Sequence, residues 1–220
     1  MTISIKICGL STEETIDAAT AAGADMVGLV FHDASPRHLG LNRASELAQR
    51  VRGRAEVVAL TVEADDATLD AIVTAIAPAW LQLHGTESPD RVAAIAGRYG
   101  LPVLKAIPVR EVSDVAIADR YRGVADMILF DAKPPAGTLL PGGNGISFDW
   151  TLLEGGASPF MLSGGLDPAN VGEAIRVAAP AAVDVSSGVE TAPGRKDADL
   201  IRAFVAAARM AASEPAEAAS

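Results

Sequence analysis

Apolar residues in this chain gather in short, regularly spaced runs. Stretches rich in Ile, Val, Leu and Phe fall at 3–7, 26–31, 56–61, 80–83, 102–107, 126–130, 159–162 and 181–185. Their length and β-branched content mark them as strands buried on both faces. Between them lie Ala-rich amphipathic stretches at 12–22, 66–77, 89–99 and 168–178, with a last one at 197–210, all read as helices. Strand starts recur roughly every 22 to 33 residues, the footprint of a βα unit. Eight such units in one chain of 220 residues predict a (β/α)8 barrel of eight parallel strands, near the lower size limit of that fold. An open doubly wound sheet would need a Gly-rich fingerprint after the first strand, and Cys8-Gly9-Leu10 provides none. The predicted barrel spans 1–212, and the small polar segment 213–220 is expected to be disordered.

Composition narrows the setting. Hydrophobic residues make up 50% but aromatic residues only 4%, which suits helices packed on a parallel sheet. No apolar run approaches the ~20 residues that span a bilayer. The N-terminus lacks the regions of a signal peptide, and a lone cysteine excludes an intramolecular disulfide. A cytoplasmic protein with no membrane partner is expected. The net charge of −10 disfavours nucleic acid as a partner. A small phosphate ester is still allowed, because helix N-termini and backbone N–H groups bind it locally.

In such a barrel the chemistry sits at the C-terminal strand ends. Strand 1 alternates, so Ile3, Ile5 and Ile7 face the helices while Ser4, Lys6 and Cys8 face inward. A cysteine is often a small buried hydrophobe. At a strand end, two residues beyond an inward lysine, it reads instead as a base or nucleophile whose thiolate the lysine favours. Asp131 closes strand 6 and is the candidate acid opposite Cys8. Closure of the barrel sets strand 1 beside strand 8, so inward Asp184 is expected to pair with Lys6. The glycines and serines Ser163-Gly164-Gly165 and Ser186-Ser187-Gly188, after strands 7 and 8, form the expected phosphate cradle. Arg37, in the loop after strand 2, is a candidate for a forked contact with a carboxylate. Gln82 and His84 point inward from strand 4, as candidate substrate contacts alongside Asp184. His32 and His38 have no ligand-like spacing, and no metal site is expected.

These residues resemble phosphoribosylanthranilate isomerases of tryptophan biosynthesis. The likeness runs through Lys6-Ile7-Cys8-Gly9, Ser35-Pro36-Arg37, Leu81-Gln82-Leu83-His84-Gly85 and Phe130-Asp131. It continues through Gly142-Gly143-Asn144-Gly145, Phe148-Asp149-Trp150 and Leu162-Ser163-Gly164-Gly165-Leu166 with Asn170-Val171. Val183-Asp184-Val185-Ser186-Ser187-Gly188-Val189-Glu190 and Pro193-Gly194-Arg195-Lys196-Asp197 complete it. Leu39 and the acidic tail depart from the family pattern. The resemblance implies a cofactor-free Amadori rearrangement with Asp131 as acid and Cys8 as base. Arg37 would then hold the anthranilate carboxylate, and Gly164, Gly165, Ser186 and Ser187 the phosphate. The Gly- and Pro-rich loop 134–146 reads as a mobile cover. Two alternatives stand beside this reading: another phosphosugar isomerase, and a non-catalytic barrel that binds a phosphometabolite. The protein is expected to be a monomer or a homodimer.

Overall fold

A computed structural model describes residues 3–133, 142–143, 145, 147–154 and 159–213. Eight parallel strands close into a barrel in sequence order. They are β1 (Ser4–Cys8), β2 (Met26–Phe31), β3 (Glu56–Thr61), β4 (Trp80–Leu83), β5 (Val103–Val109), β6 (Met127–Ala132), β7 (Phe160–Leu162) and β8 (Ala182–Val185). Three of these match the expected ranges, whereas β1, β5 and β6 run one or two residues further toward the C-terminal mouth. The reason lies in the backbone. Polar or irregular positions still find ladder partners there, as in Cys8 opposite Gly28 and Asp131 opposite Pro108. The apolar run ends before the pairing does.

Closure joins β1 to β8 with Lys6 opposite Asp184. Inside the barrel, Met26, Val58, Leu104, Ala106, Leu129, Met161 and Ala182 pack as one apolar cluster. Cys8, Val30 and Leu60 form a separate small cluster. The isoleucines of β1 belong to the larger core between strands and helices, as strand parity requires.

The shell is built from α1 (Glu13–Ala22), α2 (Leu41–Val51), α3 (Asp66–Ile76), α4 (Pro89–Tyr99), the one-turn α5 (Val112–Val115), α6 (Val171–Ala178) and α7 (Ala198–Ser213). Thr12, Asp65 and Ser88 cap α1, α3 and α4 by accepting from backbone N–H groups of the first turn. Three expectations change here. Residues 168–170 form a turn rather than the start of α6, because the Asp167 carboxylate accepts from the Ala169 and Asn170 N–H groups at 2.7 and 3.0 Å. Ser213 belongs to α7 rather than to a tail, the rest of which lies outside the described residues. The helical layer is also less regular than eight equal units. A 3-10 segment, Ala116–Tyr121, follows α5, and the described residues between β6 and β7 carry only a 3-10 turn, Trp150–Leu153. Asp149 starts that turn by accepting from Thr151 N at 3.0 Å, a local bond that competes with a longer helix.

Candidate active site

The strand ends enclose a cavity of about 780 Å³, counting its open mouth. Cys8 and Asp131 both line it, at 4% and 5% exposure. Asp131 is held on two sides. Its Oδ1 accepts from the Ala132 N–H at 2.9 Å, and its Oδ2 stands 3.3 Å from His84 Nε2. The Gln82 amide donates to His84 Nδ1 at 3.0 Å, which places the proton of a neutral ring on Nε2, facing Asp131. Gln82 and His84 thus form a chain ending on the candidate acid. Gly142 lies directly above them, and a β-carbon there would stand 2.5 Å from Asp131 Oδ2 and 2.8 Å from His84 Nε2. Only a glycine lets the backbone pass so close. The rest of the expected cover, apart from Gly142, Gly143 and Gly145, lies outside the described residues.

Lys6 donates to Asp184 Oδ1 at 2.9 Å, as parity and closure predict. Ser163 Oγ donates to the other carboxylate oxygen at 3.2 Å. Burial pulls the Lys6 pKa down, but Asp184 and then Cys8 more than offset this and leave it raised. The expected effect on Cys8 is not found. Burial pushes the thiol pKa up, and the opposing pull of Lys6 and Lys196 does not reverse it, because Asp184 works against them. A lysine already paired with a carboxylate contributes little net field at its neighbour.

Gly164, Gly165, Ser186 and Ser187 line the cavity on the side of β7 and β8, beside Asp184. Gly188 sits behind this wall: a β-carbon there would overlap the Leu166 carbonyl. Arg37 also lines the cavity, yet its guanidinium is not free in this state. Nε and Nη2 fork onto Glu190 at 2.7 and 2.8 Å. Glu190 in turn accepts from Lys196 Nζ at 2.7 Å. Residue-type reasoning gave neither of these a role of its own. The signal was present in the Pro193-Gly194 turn flanked by opposite charges, which reads as a short hairpin. His32 lines the cavity, whereas His38 stands outside it, 3.4 Å from Asp33.

The sequence profile of N-(5'-phosphoribosyl)anthranilate (PRA) isomerases matches residues 5–207. The chain belongs to this family. It is 58% identical over 211 residues to the N-(5'-phosphoribosyl)anthranilate isomerase of Rhodopseudomonas palustris strain BisA53, covering 95% of this chain and 97% of that one. Among solved structures, monomers generated from the dimeric phosphoribosylanthranilate isomerase of Thermotoga maritima superpose with a TM-score of 0.83 at 33% identity, over 95% of this chain and all of that one. A phosphoribosylanthranilate isomerase in complex with reduced 1-(o-carboxyphenylamino)-1-deoxyribulose 5-phosphate gives the same score at 32% identity, with the same coverage. The fold and the isomerase class follow from this membership. Among the described residues, no helix is long and apolar enough to cross a membrane.

Proposed function

We propose that Asp131 and Cys8 are the acid and the base of an Amadori rearrangement that turns N-(5'-phosphoribosyl)anthranilate into 1-(2-carboxyphenylamino)-1-deoxyribulose 5-phosphate. The observation that carries this assignment is that two buried titratable side chains, from β1 and β6, face one cavity whose β7–β8 wall is made of glycines and serines. Asp131 protonates the ribose ring oxygen, and the ring opens to an iminium. The iminium acidifies the proton on C2, which Cys8 removes as the base to give an enolamine that tautomerises to the ketone. His84 holds the Asp131 carboxyl in place through the Gln82 chain. Gly164, Gly165, Ser186 and Ser187 receive the phosphate, and Arg37 turns part of its guanidinium to the anthranilate carboxylate.

The test follows the loss of substrate fluorescence for the wild type, Cys8→Ser and Asp131→Asn. Both variants, folded, are expected to lose roughly 10²-fold or more in kcat, the range of general acid–base contributions. A fully active Cys8→Ser would remove that residue as the base while leaving the reaction intact. A wild type without turnover would redirect the site to another phosphosugar or to a binding role.

A further inference from the structure

Beyond the eight barrel strands, β9 (Glu190–Ala192) and β10 (Arg195–Lys196) form a two-stranded antiparallel hairpin. Its register sets Lys196 opposite Glu190. Its tip is docked on the loop after β2. Gly194 has φ +79°, and a β-carbon there would stand 2.6 Å from the Pro36 carbonyl oxygen. The neighbour of that proline is Arg37. One carboxylate therefore meets two cations from different parts of the chain: Glu190 Oε1 accepts from Arg37 Nε and Lys196 Nζ, both at 2.7 Å. Lys196 Nζ also donates to the Ser186 carbonyl at 2.9 Å and to Ser186 Oγ at 3.1 Å.

The side chains of Arg37, Glu190 and Lys196 are exposed by only 6, 4 and 1%. Two buried positive charges against one negative leave a surplus cation beside the cavity, and an unmatched buried charge is costly. The cost shows in Lys196 itself. Burial, with Arg37 adding to it, outweighs the attraction of Glu190 and Cys8 and brings its pKa down to about 8. A ligand with two anionic ends supplies the missing negative charge.

We propose that Glu190 and Lys196 are positioning residues that tie the two anion-binding ends of the site together. Glu190 fixes the plane of the Arg37 guanidinium for the substrate carboxylate, and Lys196 holds Ser186 and sets a positive charge beneath the phosphate. The proposal rests on the reading of Arg37 and Ser186 given above. Without Lys196, the Glu190 charge falls wholly on Arg37 and cancels its attraction for a second carboxylate.

The experiment measures kcat, KM and competitive inhibition by anthranilate and by inorganic phosphate, two probes that report the two ends separately. Lys196→Met is expected to raise KM about tenfold with kcat changed less than about threefold, and to weaken both inhibitors. Lys196→Arg keeps the charge and restores much of the loss. Glu190→Gln, a second route to the same network, weakens anthranilate more than phosphate. In an Arg37→Ala background, Lys196→Met should no longer affect anthranilate but should still affect phosphate. Folded Lys196→Met and Glu190→Gln with wild-type KM and wild-type inhibition by both probes would overturn the proposal. An Arg37→Ala variant that binds anthranilate normally would overturn the carboxylate reading and the coupling to it. The phosphate arm would then decide the role of Lys196 by itself, unchanged inhibition removing it.

Discussion

Lys6 and Lys105 are both fully buried lysines paired with buried carboxylates, yet they stand on opposite faces of the barrel wall. Lys6 points inward between Ile5 and Ile7, which pack outward. Lys105 points outward, because its neighbours Leu104 and Ala106 belong to the inner cluster. On the outer side every ammonium proton has a partner: Glu87 Oε2 at 2.8 Å and the carbonyls of Gly85 and Leu83 at 2.6 and 3.3 Å. The ring of Tyr121 lies 5.6 Å away, and its hydroxyl donates to the Glu87 carbonyl at 2.8 Å. That cluster joins the end of β4 to the 3-10 segment and lies off the cavity wall. On the inner side, the Lys6–Asp184 pair sits two residues below Cys8, and Asp184 lines the cavity. The same ion pair serves as a joint in one place and as part of an electrostatic floor in the other.

Removing one partner is the most severe way to test this difference. Lys6→Met and Lys105→Met each leave a buried carboxylate uncompensated, and each is expected to cost about 3–5 kcal/mol in denaturant unfolding. The kinetics should then separate them. At a temperature where both variants are folded, Lys105→Met is expected to keep kcat within about twofold, while Lys6→Met loses roughly tenfold or more, because Asp184 then acts on Cys8 without its counter-charge. Equal losses of kcat would erase the distinction between joint and floor.

The sequence reveals the inner pair and hides the outer one, for a geometric reason. Alternation along β1 and β8, with closure of the barrel, places Lys6 beside Asp184 without any loop geometry. Glu87 lies in the connection before α4, where no periodicity says which way a side chain turns. The same division runs through the site. Cys8, Gln82, Asp131 and Asp184 sit on strands; parity turns Cys8, Gln82 and Asp184 inward, and Asp131 is read from its place at the end of an apolar run. Glu190 lies just past β8 on a hairpin whose docking against Pro36 is a tertiary fact, so the fork it makes with Arg37 could not be read from spacing. The direction of the Cys8 shift was missed because it depends on how far burial outweighs a lysine that is already neutralised.

Lys196 is a third buried lysine, and it differs from both others in sharing its carboxylate. Its proton is released at about pH 8 in the folded chain, against an ordinary value of 10.5. The unfolded chain therefore binds more protons between those limits, and this residue makes stability rise with pH across that window. The full effect is of the order of 3 kcal/mol. Denaturant unfolding of the wild type and Lys196→Met at pH 7.5 to 10.5 checks it, with the wild type gaining on the variant as pH rises. A difference that is flat or of opposite sign would place the Lys196 proton at its ordinary affinity.

The gentlest perturbation neutralises both partners of each pair. A buried ion pair replaced by uncharged groups of similar size is often close to neutral in stability, because two desolvation costs disappear with one attraction. Lys105→Met with Glu87→Gln, and Lys6→Met with Asp184→Asn, are both expected to lie within about 1.5 kcal/mol of the wild type, well above the single variants. Activity is the discriminating readout. Neutralising the outer pair should leave turnover near the wild-type level, since its carboxylate and ammonium are aimed at backbone groups and at Tyr121. Neutralising the inner pair should restore the fold without restoring turnover, since Cys8 then titrates in a different field and Ser163 loses a charged acceptor. If both double variants turned over normally, the inner pair would be a joint as well, and Lys196 would be the cation that matters to Cys8.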